Sequence, residues 1–268
     1  MTAYKQFVRG AMDRVGLTPL YFRFIEWRMA RGREKPPATD ENGAPIPPLE
    51  LMARVSAHAD WREFLASGER TATALAGYAA DAGAPFATAQ RILDLGCGCG
   101  RVIRWLPAMT QAELYGVDYN PSLANWCAAN LKGDFRVNRL NPPLDFPDAQ
   151  FDIVYLLSVF THLRLATQRE WLAEIDRVLR PGGLALITFH DEEQPGLPDS
   201  EEARRALAAD EFYIYNDLAE GSNLIATFQT RAFTARLFGE RFEVARIVPS
   251  RQTAFTQAIA VLRKKSAT

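Results

Sequence analysis

Arg91-Ile-Leu-Asp-Leu-Gly-Cys-Gly-Cys-Gly100 is the stretch of this sequence that decides the fold. The apolar run Ile92 to Leu95 indicates a buried strand, and it carries an acid at Asp94. Glycines at alternate positions then indicate a tight turn, because glycine adopts dihedral angles that other residues avoid and lets a ligand approach the backbone. Apolar residues with helical spacing follow from Val102. The stretch therefore predicts a strand, a glycine turn and a helix at a nucleotide-binding site.

A second acid, Asp118, ends the next predicted strand, 22 positions after Gly96. This is close to the ~20-residue offset at which a second-strand carboxylate reaches a ribose diol. A dinucleotide fingerprint needs a glycine three positions after its second glycine, and this chain has Arg101 there. The spacing therefore favours a ligand that contains a ribose but is not a dinucleotide.

Strand and helix signals alternate along the rest of the chain, which indicates a mainly parallel sheet covered by helices. Asn120-Pro121 predicts a helix start, and Thr167–Glu170 and Asp199–Glu202 have the capping-box pattern. The predicted strands are 91–95, 113–117, 134–137, 151–157, 183–189, 242–248 and 256–262.

The glycine segment resembles motif I of the class I S-adenosylmethionine-dependent methyltransferases, whose pattern is acid-x-Gly-x-Gly-x-Gly. The resemblance extends over about 100 residues, through Asp118, the strand 151–157 and the helix end and strand from Arg177 to Phe189. It implies an α/β fold with a seven-stranded, mainly parallel Rossmann-like sheet and helices on both faces, here with an N-terminal helical extension. It also implies S-adenosyl-L-methionine as the cofactor, and the motif combination is similar to that of bacterial small-molecule and glycan methyltransferases.

Ligands of open parallel sheets bind at the carboxyl ends of the strands, where the strand order reverses. By resemblance, Asp118 binds the ribose, Asn138 lies near the adenine amine, and Asp94 orients the turn or meets the cofactor's amino group through water. Tyr119 follows the second strand and is placed to lie on the adenine. The predicted cofactor-binding residues are Asp94, Gly96, Cys97, Gly98, Asp118, Tyr119, Asn138 and Ser158.

Two of the three histidines, His162 and His190, follow strands at the same predicted edge. Because histidine titrates near neutral pH, either side chain is a candidate base for a hydroxyl acceptor. The alternatives are that His162 organises the next helix and that His190 is an exposed loop residue. His58 is expected to be structural. The run His190–Glu193 is interpreted as an exposed acidic loop, and no metal site is expected.

The acceptor pocket is expected to form from residues 50–70 as a lid and 191–235 as an insertion. Both segments carry aromatic residues that suit stacking on a ring or sugar, although such residues also serve as core. These aromatic residues are Trp61, Phe64, Phe212, Tyr213, Tyr215 and Phe228.

The composition is that of an ordinary globular protein, with 268 residues, 48% of them hydrophobic, and a net charge of −1. Since nucleic-acid binders usually carry a basic excess, no nucleic-acid partner is expected. The three cysteines, Cys97, Cys99 and Cys127, lack the spacing of a zinc site and are read as reduced thiols of a cytoplasmic enzyme. No apolar stretch is long enough for a membrane span or a secretory signal.

Residues 1–35 carry eight Lys and Arg against three Asp and Glu, a net charge of +5, interleaved with aromatic residues. A membrane-surface helix is one interpretation, and a helix packed on the domain through its aromatics is the favoured one. Residues 36–49 are interpreted as a linker or long loop. The expected division is an extension and loop at 1–49, a helical lid segment at 50–90 and the core at 91–268. Residues 1–35 are accordingly expected to be dispensable for cofactor binding.

The predicted function is S-adenosylmethionine-dependent methyl transfer to a small-molecule or glycan acceptor, at oxygen. Two alternatives remain at this point. A small-amine N-methyltransferase would have an acidic acceptor pocket, and a non-catalytic cofactor-binding regulatory subunit would show no turnover on any acceptor.

Overall fold

The structure is a computed structural model that describes residues 18–209 and 211–266. The strands are β1 (Arg91–Leu95), β2 (Glu113–Asp118), β3 (Asp134–Val137), β4 (Phe151–Leu156), β5 (Leu179–Phe189), β6 (Phe212–Tyr215), β7 (Ala226–Gln229), β8 (Phe242–Val248) and β9 (Ala258–Lys264). The α-helices are α1 (Thr18–Ala30), α2 (Leu49–Ser56), α3 (Trp61–Asp81), α4 (Pro121–Asn130), α5 (Leu165–Val178), α6 (Glu201–Ala208) and α7 (Arg231–Gly239).

Seven strands form one sheet in the order β3-β2-β1-β4-β5-β9-β8. The first five are parallel, and β9 runs antiparallel to both β5 and β8. The predicted fold class and all seven predicted strands are confirmed. The order reverses between β1 and β4, which places a ligand crevice at their carboxyl ends. Sequence analysis missed β6 and β7, which pair with each other as a separate hairpin inside the insertion.

The core lies on both faces of the sheet, because successive strand residues point in opposite directions. In β4, Val154 and Leu156 contact the cluster that contains Ile175 of α5. Ile153 and Tyr155 contact the opposite cluster, which contains Leu75 of α3. A strand buried on both sides reads as a continuous apolar run, and helices cover both faces as predicted.

Helix starts were predicted with mixed success. The side chain of Asn120 accepts a hydrogen bond from Ser122 N and caps α4, as predicted. The Thr167 capping box is wrong: α5 begins at Leu165, because Thr167 is buried within the first turns. The cap of α6 is Ser200, one residue after the predicted Asp199.

The helix predicted after the glycine turn is a short 3₁₀ helix, Ile103–Ala108. Pro107 lies inside it, and proline has no N–H to extend an α-helical hydrogen-bond ladder. The chain therefore turns tightly here and reaches β2 quickly.

The segment 36–49 does not act as a free linker. Asp40 forms a fully buried ion pair with Arg104, whose Nε lies 2.9 Å from Asp40 Oδ2. Asp40 also accepts hydrogen bonds from the backbone of Asn42 and Ala44. Because a buried charge is costly without its partner, this pair fixes the segment, and with it α1 and α2, against the core.

None of the helices in the described ranges combines the length and the apolar character needed to cross a membrane.

Candidate active site

A cavity of about 480 Å³ lies at the carboxyl ends of β1, β2 and β4. The glycine turn after β1 forms one wall, and residues of α1 and α2 form another. Residues 221–224, in the connection between β6 and β7, close a third side. The volume is in the range of ordinary small-molecule sites.

The glycine turn packs closely against neighbouring side chains. Gly96, Gly98 and Gly100 have φ values of +85°, +55° and +77°, a region that side chains with a Cβ rarely adopt. A Cβ at Gly98 would lie 2.8 Å from Cγ2 of Val55 in α2. The amides of Gly96, Gly98 and Gly100 all donate to acceptors of this chain, so none of the three is a free donor for a ligand.

Asp118 connects β2 to the turn. Its Oδ2 accepts a hydrogen bond from Gly98 N at 2.9 Å, and its Oδ1 accepts one from Asn120 N at 2.8 Å. Burial raises the pKa of this carboxyl, and the two amides oppose that rise. Each carboxylate oxygen keeps a further lone pair, so the side chain can still accept hydroxyl donors from the cavity.

Tyr119 and Asn138 stand beside Asp118 on the cavity wall. Tyr119 is 43% exposed, so its side chain is accessible to a ligand. The Nδ2 of Asn138 donates to Arg139 O at 2.7 Å, whereas its buried Oδ1 has no partner within the described chain. An unpaired buried acceptor costs free energy, which makes it a natural partner for a ligand N–H.

Asp94 and Cys97 do not line the cavity. Asp94 Oδ2 accepts a hydrogen bond from the hydroxyl of Tyr155 at 2.8 Å. Burial raises the pKa of Asp94 to about 7. The Cys97 thiol points to the carbonyl oxygen of Gly98, as does Cys127, so both sulfurs support the turn from behind.

Ser158 lies two residues after β4 and has φ of +57°, an unusual conformation for serine. Thr188 Oγ1 accepts from Ser158 N at 2.8 Å, and the Ser158 hydroxyl accepts from Gln257 Nε2 at 2.8 Å. The strained backbone is thus held by β5 and by the segment before β9, and the hydroxyl stays on the cavity wall. Gln257 was missed because it lies 99 positions from Ser158 in sequence.

His162 lines the cavity. Its Nδ1 lies 2.7 Å from the carbonyl oxygen of Ile225 and donates its proton there. In the neutral ring Nε2 is therefore the acceptor nitrogen. Burial lowers the pKa of His162, because the low-polarity surroundings disfavour the charged ring.

His190 lies outside the cavity wall and is not the exposed loop residue that was the alternative. Its ring stacks on Phe228 with centroids 5.0 Å apart, and its Nδ1 lies 3.2 Å from Thr227 O. Burial lowers its pKa to about 4. Of the two predicted bases, the structure brings only His162 to the cavity.

The acidic run after His190 is not an exposed loop. Asp191 is fully buried and accepts hydrogen bonds from both the backbone N and the hydroxyl of Ser250. Glu192 and Glu193 pair with Arg231. The described residues contain no cluster of His, Cys, Asp and Glu side chains arranged to hold a metal ion.

Sequence analysis missed the contribution of the extension. Ile25, Glu26 and Met29 of α1 line the cavity, and Glu26 pairs with Arg54 of α2 at 2.5 Å. That residues 1–35 are dispensable for cofactor binding stays a prediction: residues 1–17 lie outside the described ranges, and α1 lies on the wall of a cavity that a cofactor and an acceptor could share. None of the six aromatic residues proposed for acceptor stacking lines the cavity, and Phe64, Tyr213 and Phe228 are core.

Comparison with known proteins agrees with this geometry. Residues 93–187 match the family model described as a methyltransferase domain. The chain is 34% identical over 106 residues to a probable chloroplastic tocopherol O-methyltransferase of Oryza sativa subsp. japonica. That match covers 37% of this chain and 28% of the rice protein. It is 35% identical over 102 residues to a fatty-acid O-methyltransferase of Mycolicibacterium smegmatis, and this match covers 37% of this chain and 36% of that protein.

The chain contains, at residues 93–187, a domain of the S-adenosylmethionine-dependent methyltransferase family.

It spans about a third of the length of these two relatives. The structure of a Burkholderia thailandensis 1,6-didemethyltoxoflavin-N1-methyltransferase, with 1,6-didemethyltoxoflavin and S-adenosylhomocysteine bound, shares the fold. Its TM-score is 0.54 at 20% identity, over 87% of this chain and 94% of that one.

S-adenosyl-L-methionine is the cofactor of this family, and the cavity residues fit it. Asp118 offers carboxylate lone pairs to a ribose diol, Asn138 offers an unpaired oxygen to an amine, and Tyr119 offers a ring face. Gly96 and Gly98 present backbone without a side chain at the cavity wall. Asp94 and Cys97 would act through the turn and not by contact.

The raised pKa of Asp94 predicts a pH-dependent stability. The folded protein holds a proton that the unfolded chain releases at about 3.8, so this group lowers stability as pH rises from about 4 to about 7. Asp94→Asn should remove that fall, because the amide still accepts from Tyr155 but cannot ionise. In urea unfolding, the free energy of unfolding of the variant should rise relative to that of the wild type between pH 4 and pH 7. A constant difference between the two proteins across that range would contradict the assignment.

Proposed function

We propose that this protein transfers a methyl group from S-adenosylmethionine to an oxygen of a small-molecule acceptor. The observation that carries the proposal is the shared cavity. Asp118, Tyr119 and Asn138 lie on its wall together with Ser158 and His162, so a cofactor and an acceptor can meet in one cavity.

S-adenosylmethionine, when bound, supplies a methyl group on a positively charged sulfur. The protein's task is then to hold both reactants in line and to keep water out. His162 adds a proton acceptor: its Nδ1 is engaged with Ile225 O, so its Nε2 can take the proton of an acceptor hydroxyl. The lowered pKa keeps the ring neutral at physiological pH, which is the state that a base needs.

The cavity wall favours an acceptor with an apolar body over a glycan. Its aliphatic and aromatic side chains come from α1, α2, α5 and the strand ends, and they include Met29, Val55 and Trp171. Apolar walls with a few placed polar groups are typical of small-molecule sites. Two of the O-methyltransferases similar to this chain are named for tocopherol and fatty acids, which are also largely apolar.

A small amine is a less suitable acceptor. Glu26 is the carboxylate that α1 contributes to the wall, but Arg54 pairs with it at 2.5 Å. The charge of Glu26 is therefore balanced by Arg54, and the cavity wall gives a cationic amine little electrostatic attraction. The observations favour a neutral hydroxyl or a carboxyl as the accepting group.

The test begins with calorimetric titration of the purified chain with S-adenosylhomocysteine. Binding is expected, and its absence would overturn the cofactor assignment. The chain is then incubated with S-adenosylmethionine and a panel of apolar alcohols, fatty acids, sugars and small amines, and release of S-adenosylhomocysteine is followed. Turnover confined to amines would contradict oxygen transfer, and binding without any turnover would favour the regulatory alternative.

Asp118→Ala should weaken S-adenosylhomocysteine binding by roughly 5–150-fold, because the ribose hydroxyls lose their acceptor at about 1–3 kcal/mol. Asp152→Ala is the matched control. Asp152 is also 7% exposed and also accepts from two backbone amides, those of Gln90 and Arg91, but at the amino end of the strands. Both variants should lose stability in urea, and only Asp118→Ala should lose affinity. Equal affinities in the two variants would refute the ribose contact.

A further inference from the structure

Helix α1 exposes an apolar stripe that the fold leaves uncovered. Leu20, Phe24 and Trp27 are 59%, 55% and 47% exposed. Only two other large apolar side chains in the described ranges are comparably exposed, Tyr119 and Val137. Three of the five thus lie on one helix of 13 residues.

The three side chains share one face of the helix, because positions i, i+4 and i+7 align at about 100° per residue. The opposite face carries Ile25 and Met29, which line the cavity. The helix is therefore apolar on two sides, and packing against this domain accounts for only one of them.

Cationic residues flank the exposed stripe. Arg23 and Arg28 fall on its two sides by helical spacing, and the Arg31 guanidinium lies 5.1 Å from the centre of the Trp27 ring. The cations exposed between residues 23 and 35 are Arg23, Arg28, Arg31, Arg33 and Lys35.

The two acids of the same segment are already engaged. Glu26 pairs with Arg54 of α2, and Glu34 pairs with Arg62 of α3. The outward face of α1 thus offers positive charge around an apolar stripe. The remainder of the chain is acidic, since a net charge of +5 for residues 1–35 leaves −6 for residues 36–268.

We propose that α1 docks this protein on an anionic lipid surface, with Leu20, Phe24 and Trp27 at the level of the headgroups and the arginines against lipid phosphates. An apolar face with a basic border is the pattern of helices that lie in a membrane interface. A second copy of this chain fits less well, because it would bring identical arginines together. The net negative charge of the remaining chain favours the orientation with α1 toward the membrane.

Docking in this way would bring the cavity close to the lipid. The same helix provides both the docking stripe and the wall residues Ile25 and Met29, so about 10 Å, one helix diameter, separates them. The docking itself does not depend on methyl transfer. Within the proposed function, it identifies the acceptor as a molecule that partitions into membranes.

The test is flotation of the 268-residue protein with vesicles of phosphatidylcholine alone and with vesicles containing roughly one-third phosphatidylglycerol. Binding to the anionic vesicles is expected, and added salt should weaken it. Phe24→Ser combined with Trp27→Ser should reduce binding at least tenfold. Arg23→Gln combined with Arg28→Gln should reduce it by about fivefold for each arginine.

Val137→Ser is the matched control, because Val137 is 45% exposed but lies on β3, away from α1. It should float as the wild type does. The affinity for S-adenosylhomocysteine is measured on every variant. A variant that keeps this affinity but no longer floats has lost docking and not its fold. The proposal is overturned if the wild type fails to float, if it floats equally with neutral vesicles, or if the Phe24/Trp27 variant floats unchanged. Self-association of the wild type that disappears in that variant, without flotation, would assign the stripe to a second copy instead.

Discussion

Replacing His162 with asparagine should lower the methyl-transfer rate by roughly 10²–10⁴-fold, the usual contribution of a general base. Asparagine can place its amide nitrogen near the position of Nδ1 and keep the hydrogen bond to Ile225 O. It has no counterpart to Nε2, so only the proton acceptor is removed. Turnover should fall while S-adenosylhomocysteine affinity stays nearly constant. His58→Asn, at a residue outside the cavity wall, should change neither quantity.

The pH profile gives a second measurement of the same residue. Since burial lowers the pKa of His162, the ring stays neutral through the ordinary histidine range. The wild-type rate should be level from about pH 8 down to about pH 6.5 and should fall only below that, as the ring becomes protonated. A rate that already falls between pH 8 and pH 7, or full activity of His162→Asn, would show that this ring is not the base.

Gly98→Val should weaken cofactor binding by roughly 100-fold or more. The new side chain would need a φ of +55°, which β-branched residues avoid, and its Cβ would lie 2.8 Å from Cγ2 of Val55. Relief of that contact requires movement of α2, which forms the cavity wall. Titration with S-adenosylhomocysteine measures the loss, and circular dichroism shows that the fold is retained.

Gly83→Val separates backbone strain from crowding of the cavity. Gly83 also has a positive φ, +72°, but a Cβ there meets nothing within 4 Å. This control should lose some stability and keep its affinity for S-adenosylhomocysteine. If both valine variants bind normally, the cofactor does not cross the glycine turn.

Much of the fold followed from local sequence patterns. The glycine spacing, the strand-end Asp118 and the Asn120-Pro121 cap all depend on residues within a few positions of one another, where backbone geometry and hydrogen bonding are settled locally. Thr167 shows the limit of such patterns. Its capping box is valid in isolation, but burial on α5 overrides it and starts the helix at Leu165.

Residues far apart in sequence decided the rest of the cavity. His162 and His190 looked alike as strand-end histidines, and only the β6–β7 hairpin distinguishes them. Phe228 of β7 stacks on His190, whereas Ile225 O, 63 positions from His162, fixes the ring that stays on the cavity wall. The signal for this hairpin was weak because its two strands have four residues each.

The sequence by itself determined the parallel sheet, the glycine turn and the strand ends at which a nucleotide-like ligand would sit, because chain periodicity and glycine geometry are local properties. Only the tertiary structure decided that α1 and α2 complete the cavity. The buried pair of Asp40 and Arg104, 64 positions apart, fixes the extension there. Such a pair produces no periodic pattern in the sequence, since its free energy arises from desolvation and charge attraction between segments that meet only after folding.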